Sequence, residues 1–376
     1  MRPRPRPSRR CSLLPLDRSA DPVTHGTPLA RRSKTLSASL GLGEKLFASS
    51  EERRFADAIE EGLAEVEAGL LREVSFADDM ADVASRYLLE AGGKRIRPVL
   101  TLLTAQLGEG NNAAVITAAQ AIEITHLASL YHDDVMDEAE MRRGVPSAQS
   151  VWGNSVAILT GDLLFARASK LVASLGEGAI KLQADTFERL CLGQLHETVG
   201  PRLEDDPIDH YLQVLADKTG SLISAAAQMG VIFSGAPEEY AEPVVVFGEK
   251  IGVAFQLIDD VIDLAEPESE TGKAQGTDLR SGVATLPLLY LRRAAQSDAS
   301  AADLLDRIER HVVAGGTEEE LAAAIAELRA HPVTEETLDE ARRWADDAVA
   351  ALEPLPPSPV TKALTKFAEA VVDRSK

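Results

Sequence analysis

The sequence predicts an all-α fold, a single large helical bundle with its functional site in a central cavity. Of the 376 residues, 45% are hydrophobic. Apolar residues recur with a helical period along the chain, for example in residues 63–71, 80–89 and 99–107. Alternation of Val, Ile and Thr, which is typical of strands, is scarce. Helical bundles hold their ligands between facing helices, so we expect the functional residues there.

The composition excludes several classes of function. The formal net charge is −21, which argues against nucleic acid as a partner and fits a cytoplasmic protein whose site works with cations. Cys11 and Cys191 lie far apart and form no disulfide framework or metal-binding spacing. We find no apolar run close to the roughly 18 residues of a membrane span.

Residues 1–44 differ from the rest of the chain, because they are basic and rich in proline. This composition predicts a disordered leader. A start codon called too early, with the true start near Val23, would also explain it. Residues 45–376 are expected to form one catalytic domain.

Several helix boundaries can be predicted within that domain. A helix is expected to begin after Pro98. Thr317 and Glu320 have the spacing of a capping box that opens a helix. Pro332 is expected to break that helix, with the next one beginning at Thr334 or Thr337.

One acidic sextet occurs twice. Residues 132–137 read His-Asp-Asp-Val-Met-Asp, and residues 258–263 read Ile-Asp-Asp-Val-Ile-Asp, each at the end of an apolar helical stretch. The first and last carboxylates of such a group share one helix face, and the second lies about 100° round and can reach the same metal from the side. A single copy is usually a solvated helix face. Two copies that follow apolar helices indicate a site for cations, and Mg²⁺ bridging carboxylates to substrate phosphates is the natural choice.

Basic residues stand where a diphosphate would need them. Residues 92–98 read Gly-Gly-Lys-Arg-Ile-Arg-Pro, which places Lys94, Arg95 and Arg97 beside a flexible glycine pair. Arg142 and Arg143 follow the first acidic motif after a short loop. A charged turn and a surface arginine pair are the alternatives for these two segments when each is taken alone.

Other residues carry weaker signals. The dipeptide Lys218-Thr219 follows a helical stretch, and Gln256 faces the same space as Asp260. Lys273 lies in a glycine-flanked loop that is either a lid over phosphates or an ordinary loop. His126 lies on the apolar helix, where a lone histidine is more often a core residue than a ligand.

The ordered set of blocks resembles the trans-isoprenyl diphosphate synthases, the polyprenyl synthetase family, over residues 45–376. The matching blocks are Gly92 to Pro98, the first acidic motif with Arg142-Arg143-Gly, Lys218-Thr219, Phe255-Gln256 with the second acidic motif, and Gly272-Lys-x-x-Gly-Thr-Asp-Leu. The resemblance implies the isoprenoid synthase fold. It also implies condensation of isopentenyl diphosphate with an allylic diphosphate, usually by a homodimer.

The resemblance implies a role for each site residue. About three Mg²⁺ would be held by the aspartates, two by the first motif and one by the second. These metal ligands are Asp133, Asp134, Asp137, Asp259, Asp260 and Asp263. The diphosphate of isopentenyl diphosphate would be bound by Lys94, Arg97, His126 and Arg143. The allylic diphosphate would be bound by Arg142, Lys218 and Lys273. Thr219 and Gln256 would lie beside the developing carbocation.

One position departs from the family pattern. Many members have Gly-Lys-x-Thr-Leu-Pro where this chain has Gly282-Val-Ala-Thr-Leu-Pro287, so Val283 replaces a lysine. One diphosphate contact is therefore missing, and we expect weaker allylic binding rather than loss of activity.

The product is expected to be long. Ala128 and Ser129 lie one helical turn before Asp133, where short-chain members of the family have an aromatic floor. Both are small, which predicts an all-trans product of roughly six to ten isoprene units if each unit occupies about one 5.4 Å turn. Close packing of two helices would also explain small residues here. Long products usually become quinone side chains, and delivery to a membrane enzyme would involve transient membrane contact.

Three alternatives remain at this stage. A geranylgeranyl or farnesyl diphosphate synthase would differ only in product length. A class I terpene cyclase would not need a second diphosphate site at Lys94, Arg97 and Arg143. A regulatory subunit of a heteromeric synthase would have lost acidic motifs, whereas all six aspartates are present here.

Overall fold

The computed structural model describes residues 49–265, 276–280, 282–314 and 317–375. This part of the chain is helical apart from one short hairpin, which confirms the predicted all-α class. The leader, residues 1–44, lies outside the described residues. The same is true of Lys273.

The chain forms the following elements in order. The first part contains α1 (Ser50–Glu73), α2 (Asp79–Glu90), α3 (Ile96–Ala105), α4 (Ala113–Met136), β1 (Met141–Arg142), β2 (Val145–Pro146), α5 (Ala148–Trp152), α6 (Asn154–Ser174), α7 (Glu177–Val199) and α8 (Pro207–Leu215). A π-helical turn (Ala216–Gly220) joins α8 to α9 (Ser221–Phe233). After a 3₁₀ turn (Glu238–Tyr240) come α10 (Ala241–Asp263), α11 (Thr277–Arg280), α12 (Leu286–Ala294), α13 (Ala299–Ala314), α14 (Glu318–Ala330), α15 (Pro332–Ala350), α16 (Pro359–Val372) and a second 3₁₀ turn (Asp373–Ser375).

Helix α4 is a central helix of the bundle and packs against α1, α3, α6 and α9. By length and composition it could cross a membrane, which the sequence analysis did not anticipate. However, 72% of its most apolar window is buried by the rest of the protein. This burial is the behaviour of a core helix in a bundle.

Helix α9 lies between the two helices that carry the acidic motifs, because it packs against both α4 and α10. It is held close to α3 by hydroxyls of Thr101 and Thr104, which donate to the carbonyls of Ala226 and Ala227 at 2.9 and 2.8 Å. Gly230 permits this approach, since a Cβ there would lie 2.3 Å from the Thr101 carbonyl oxygen. Each buried hydrogen bond contributes about 1 kcal/mol. The two site helices therefore share a closely packed support.

Two predicted boundaries were wrong. Helix α3 begins at Ile96 and α15 begins at Pro332, so both prolines lie in a first turn, where a missing N–H breaks no helical hydrogen bond. The capping box of Thr317 and Glu320 is confirmed at the start of α14. The hairpin β1–β2 was not predicted, because strands of two residues are too short to show alternation.

Candidate active site

The first acidic motif ends α4. Asp133 is partly buried and its burial raises its pKa to about 6, while the positive charge of Lys218 opposes this shift. Asp134 is fully buried and accepts a hydrogen bond of 2.6 Å from Arg142 Nε to its Oδ1. Its Oδ2 is buried without a hydrogen-bond partner among the described residues. Asp137 is exposed at the helix end, where its N–H donates to the Asp133 carbonyl.

The hairpin after α4 presents the two arginines of the motif. Arg143 has a left-handed backbone with φ 53° and precedes Gly144 with φ 78°, which together make the tight turn. Its Nη1 donates to the Leu88 carbonyl at 2.6 Å. Burial lowers the pKa of Arg143 to about 10, and Glu123 opposes this shift. Arg143 is thus fixed against α2 while remaining a cation at neutral pH.

The two arginines of the loop before α3 have different surroundings. Arg95 has φ 52° and turns inward, where its Nε donates to Glu67 at 2.5 Å and its Nη1 donates to Glu123 at 3.3 Å. Arg97 has a buried Nε without a partner among the described residues. Burial lowers the pKa of Arg97 to about 10. Arg95 therefore braces the loop, and Arg97 is the residue suited to an anionic ligand.

His126 lies among these arginines. Its pKa is held well below the ordinary value, first by burial and then by the charges of Arg97 and Arg143. The ring is therefore neutral at pH 7 and can donate one hydrogen bond from a ring nitrogen. Sequence reasoning left His126 open between a core role and a ligand role, and its place beside two arginines favours the second.

The second acidic motif ends α10, and described protein groups contact each of its carboxylates. Asp260 is 2% exposed and accepts a 2.7 Å hydrogen bond from the Tyr211 hydroxyl. Burial raises its pKa to about 8. Asp263 accepts from the backbone N–H groups of Thr277 and Asp278 at 3.2 and 3.1 Å. Asp259 pairs with Arg374, with 2.6 Å between its Oδ1 and the arginine Nη2.

Lys218 and Thr219 lie in the π-helical turn, a feature that is frequent at functional sites. Lys218 Nζ donates to Glu197 at 2.5 Å. Helix α7 can approach this turn because residue 193 is glycine, and a Cβ there would lie 2.6 Å from the Lys218 backbone nitrogen. The turn thus holds Lys218 against a carboxylate of the neighbouring helix.

Electrostatic contacts link these parts into one site. Asp133 is affected by the charges of Lys218 and Glu197, and Glu197 also affects Tyr211, the partner of Asp260. Arg97 is affected by Asp133. The two acidic motifs and the loop before α3 therefore lie within electrostatic range of one another.

A second connection runs through Phe255, which directly precedes Gln256 on α10 and is partly buried, as Gln256 is. Lys94 Nζ lies 5.3 Å from the centre of the Phe255 ring, and the Arg374 guanidinium lies 4.3 Å from it. The loop before α3 therefore reaches the second acidic motif as well as the first.

Sequence reasoning missed four contributors: Glu123, Glu197, Tyr211 and Arg374. Only Glu123 had a usable signal, because it is an acid within an otherwise apolar stretch of α4 and is 3% exposed. Val283, the position that departs from the family pattern, is 38% exposed and its N–H donates to the Asp278 carbonyl. Ala128 is fully buried in the main core, and Ser129 is 7% exposed.

Among the described residues, no three carboxylates, imidazoles or thiols converge tightly enough to hold a metal ion by themselves. The donor set still fits a hard cation. It consists of carboxylate oxygens, including the buried, unpartnered Oδ2 of Asp134 and the raised-pKa acids Asp133 and Asp260.

The chain is similar to several known proteins. The family model described as polyprenyl synthetase matches residues 78–327. Nonaprenyl diphosphate synthase of Mycobacterium tuberculosis is 42% identical over 347 residues, which cover 92% of this chain and 99% of that protein.

Two solved structures are also similar. One is a polyprenyl synthase from Caulobacter crescentus complexed with calcium and isoprenyl diphosphate (TM-score 0.77, 31% identity, 86% of this chain and 98% of that one). The other is a geranylgeranyl pyrophosphate synthase from Corynebacterium glutamicum complexed with the same ligands (TM-score 0.71, 40% identity, 84% and 96%).

The buried carboxyl of Asp260 predicts a pH-dependent stability. Its pKa of about 8 in the folded protein lies above the ordinary value near 4, so the folded state holds this proton more tightly than the unfolded state. Stability of the metal-free protein should therefore fall as pH rises from about 4 to 8. We expect Asp260→Asn to flatten this dependence, measured by urea unfolding at pH 5, 6.5 and 8 in the presence of a chelator. Asp185→Asn, at an exposed position on α7, is the control. An unchanged slope for Asp260→Asn would contradict the assignment.

Proposed function

Because the chain belongs to the polyprenyl synthetase family and is a prenyltransferase, we propose that it condenses isopentenyl diphosphate with an allylic diphosphate, in the presence of Mg²⁺, to make a long-chain all-trans polyprenyl diphosphate. The observation that carries this proposal is the single cluster of two acidic motifs and a basic loop. Such a cluster can bind a cation through the acidic motifs and a diphosphate through the basic loop at the same time. The acidic motifs alone or the basic loop alone would bind only one of the two.

The acidic motifs would hold the metal ions. Mg²⁺ in phosphate-transfer sites is held by one or two carboxylates together with substrate phosphates, so the aspartates need not form a complete cage. When bound, about three Mg²⁺ would neutralise the diphosphate and assist its departure. Asp137, which is exposed, and Asp133 and Asp259, which are partly exposed, are suited to direct ligation. The buried Asp134 and Asp260 also position Arg142 and Tyr211.

The basic side chains would bind the two diphosphates. Arg97, Arg143 and the neutral His126 form one group of donors, suited to isopentenyl diphosphate, which must be held still while its double bond attacks. Lys218 in the π-helical turn, beside the first acidic motif, is placed for the allylic diphosphate. Thr219 and Gln256 would lie beside the developing carbocation, as the family resemblance implies. This chemistry requires no protein nucleophile, since ionisation of the allylic C–O bond needs stabilised charge rather than a covalent intermediate.

Product analysis tests the function. We expect the purified full-length protein, supplied with Mg²⁺, isopentenyl diphosphate and farnesyl diphosphate, to form products of about 30 carbons or more. This length corresponds to about six isoprene units, if each unit occupies about one helical turn. Asp133→Asn should lower kcat by roughly 10²–10³, in keeping with the loss of one charge-stabilising contact. Asp185→Asn is the matched control. Products that stop at C20 would favour a geranylgeranyl diphosphate synthase. No turnover would favour a regulatory subunit.

The face of α4 that carries Asp133 gives the direction of the growing chain. At 100° per residue, Ser129 and Ile122 lie within about 40° of Asp133, whereas Ala128 lies about 140° away. Ile122 packs in a cluster with Leu222 and Met229 of α9, away from the main core. We propose that the prenyl tail descends along this face, between α4 and α9. Ala128 is then a less direct control of length than Ser129.

Bulky substitutions along this face should shorten the product in order. Residue 129 lies about 6 Å below Asp133 along the helix axis, so Ser129→Phe should stop the prenyl chain after about one added isoprene unit. Residue 122 lies about 16 Å below Asp133, so Ile122→Phe should allow about three added units. Product chains would be resolved by chromatography. Ala128→Phe is the comparison, because a phenylalanine in the fully buried core should lower stability by about 1–3 kcal/mol. Equal lengths for both face variants would contradict this path.

We also propose a homodimer. Helices α6 and α7 expose a stripe of large apolar side chains: Ile158, Leu159, Leu163, Leu192, Leu195 and Val199. Exposed apolar patches of this kind mark protein interfaces. A second copy of the chain is the occupant that the family resemblance favours, and a twofold axis would place the same stripe of both copies in contact.

Disruption of the stripe tests the dimer. Leu159→Glu combined with Leu195→Glu should convert the dimer to a monomer, because four carboxylates would have to be buried at the twofold contact. The measurement is molar mass by light scattering during gel filtration. Leu71→Glu, at an exposed leucine of α1, should leave the mass unchanged. A monomeric parent protein would refute the proposal.

The uses of the product are proposed from its chemistry. A polyprenyl chain partitions into membranes, which supports a role as a quinone side chain and transient membrane contact during its release. The acidic composition supports a cytoplasmic location.

A further inference from the structure

Arg374 occupies a position that the proposed metal chemistry does not explain. It lies in the 3₁₀ turn after α16, and its Nη2 is 2.6 Å from Oδ1 of Asp259, a partner 115 residues away in the chain. Its guanidinium also lies 4.3 Å from the Phe255 ring centre. Nη1 is buried without a hydrogen-bond partner among the described residues. The arginine is therefore held by one carboxylate and one aromatic face.

Each carboxylate of the second acidic motif has a different kind of partner. Asp260 is bound by an uncharged hydroxyl, and Asp263 by two backbone N–H groups. Asp259 forms an ion pair with a side-chain cation, and the charges of Asp263 and Arg280 also interact. A guanidinium and a hydrated divalent cation both require the oxygens of this carboxylate, so Arg374 and a metal ion cannot contact Oδ1 together without strong repulsion.

We propose that Arg374 pairs with Asp259 when no metal ion is bound, and that a divalent metal ion must displace Arg374 in order to bind Asp259. Arg374 thereby lowers the affinity of the second acidic motif for metal. The inference rests on the proposed metal-binding role of Asp259. Asp259 and Arg374 are 35% and 22% exposed, so the ion pair is screened in part and a metal ion can exchange with it. Without a metal, the pair and the ring contact keep the second 3₁₀ turn against α10.

The test measures metal binding directly, without substrate. Free Mn²⁺, which accepts the same oxygen ligands as Mg²⁺, is followed by electron paramagnetic resonance during titration of the full-length protein. Arg374→Gln should bind Mn²⁺ roughly three- to tenfold more tightly at the site that includes Asp259, equivalent to about 0.7–1.4 kcal/mol. Lys366→Gln removes the same charge from an exposed position of α16 and should have no effect.

A double-mutant cycle separates the ion pair from the general effect of removing a charge. In an Asp259→Asn background, Arg374→Gln should no longer alter Mn²⁺ affinity. If Asp259→Asn weakens Mn²⁺ binding but Arg374→Gln leaves it unchanged or weaker, the inference is overturned while the metal site stands. If Asp259→Asn has no effect on Mn²⁺ binding, the metal assignment fails and the inference fails with it.

Thermal unfolding gives an independent readout. Arg374→Gln should lower Tm in the presence of a chelator, because the contacts to Asp259 and Phe255 are lost. Saturating Mg²⁺ should remove the difference, because the arginine of the parent protein is then displaced as well. A Tm difference that persists at saturating Mg²⁺ would show that Arg374 is only a structural clamp.

Discussion

Two carboxylates, those of Asp134 and Asp260, are buried at the ends of long core helices, and the need to compensate them organises much of the surrounding site. A buried polar group without a partner is costly, so each carboxyl is bound by a group from outside its own helix. Arg142 reaches Asp134 from the hairpin, and Tyr211 reaches Asp260 from α8. The first contact fixes the hairpin, which carries Arg143. The second fixes α8, which leads into the π-helical turn that carries Lys218.

The site is divided by charge. Arg95, Arg97 and Arg143 lie around Glu123, and Arg95 also pairs with Glu67, so three positive charges face two carboxylates. Burial and this excess of positive charge lower the pKa of His126 and keep it neutral. Beside them the two acidic motifs carry the opposite excess. A metal–diphosphate complex presents cations to one part and an anion to the other. The metal–diphosphate complex would therefore neutralise both the excess negative charge of the acidic motifs and the excess positive charge of the arginines. Such a site can bind the departing diphosphate more tightly in the transition state than in the ground state.

The scaffold explains why charged groups can be placed so closely. Helix α9 is packed against α3 through two threonine hydroxyls and a glycine, and it supports both α4 and α10. A close glycine contact at residue 193 likewise brings α7 to the π-helical turn. Rigid backbone contacts of this kind resist the repulsion between like charges. The similarity to polyprenyl synthases covers this whole arrangement, from α2 to α14.

The sequence by itself determined the helical class, the two acidic motifs and the basic blocks, because these are local patterns of period, spacing and order. It also predicted Arg97 and Lys218 as members of one site. Only the tertiary structure decided which aspartates are buried, that Arg95 braces the loop, and that Glu197, Tyr211 and Arg374 take part. Most of these depend on contacts between residues far apart in the chain, such as Lys218 with Glu197 at a separation of 21 and Arg374 with Asp259 at 115. No local pattern records such a contact, since it arises only when packed helices bring distant side chains together.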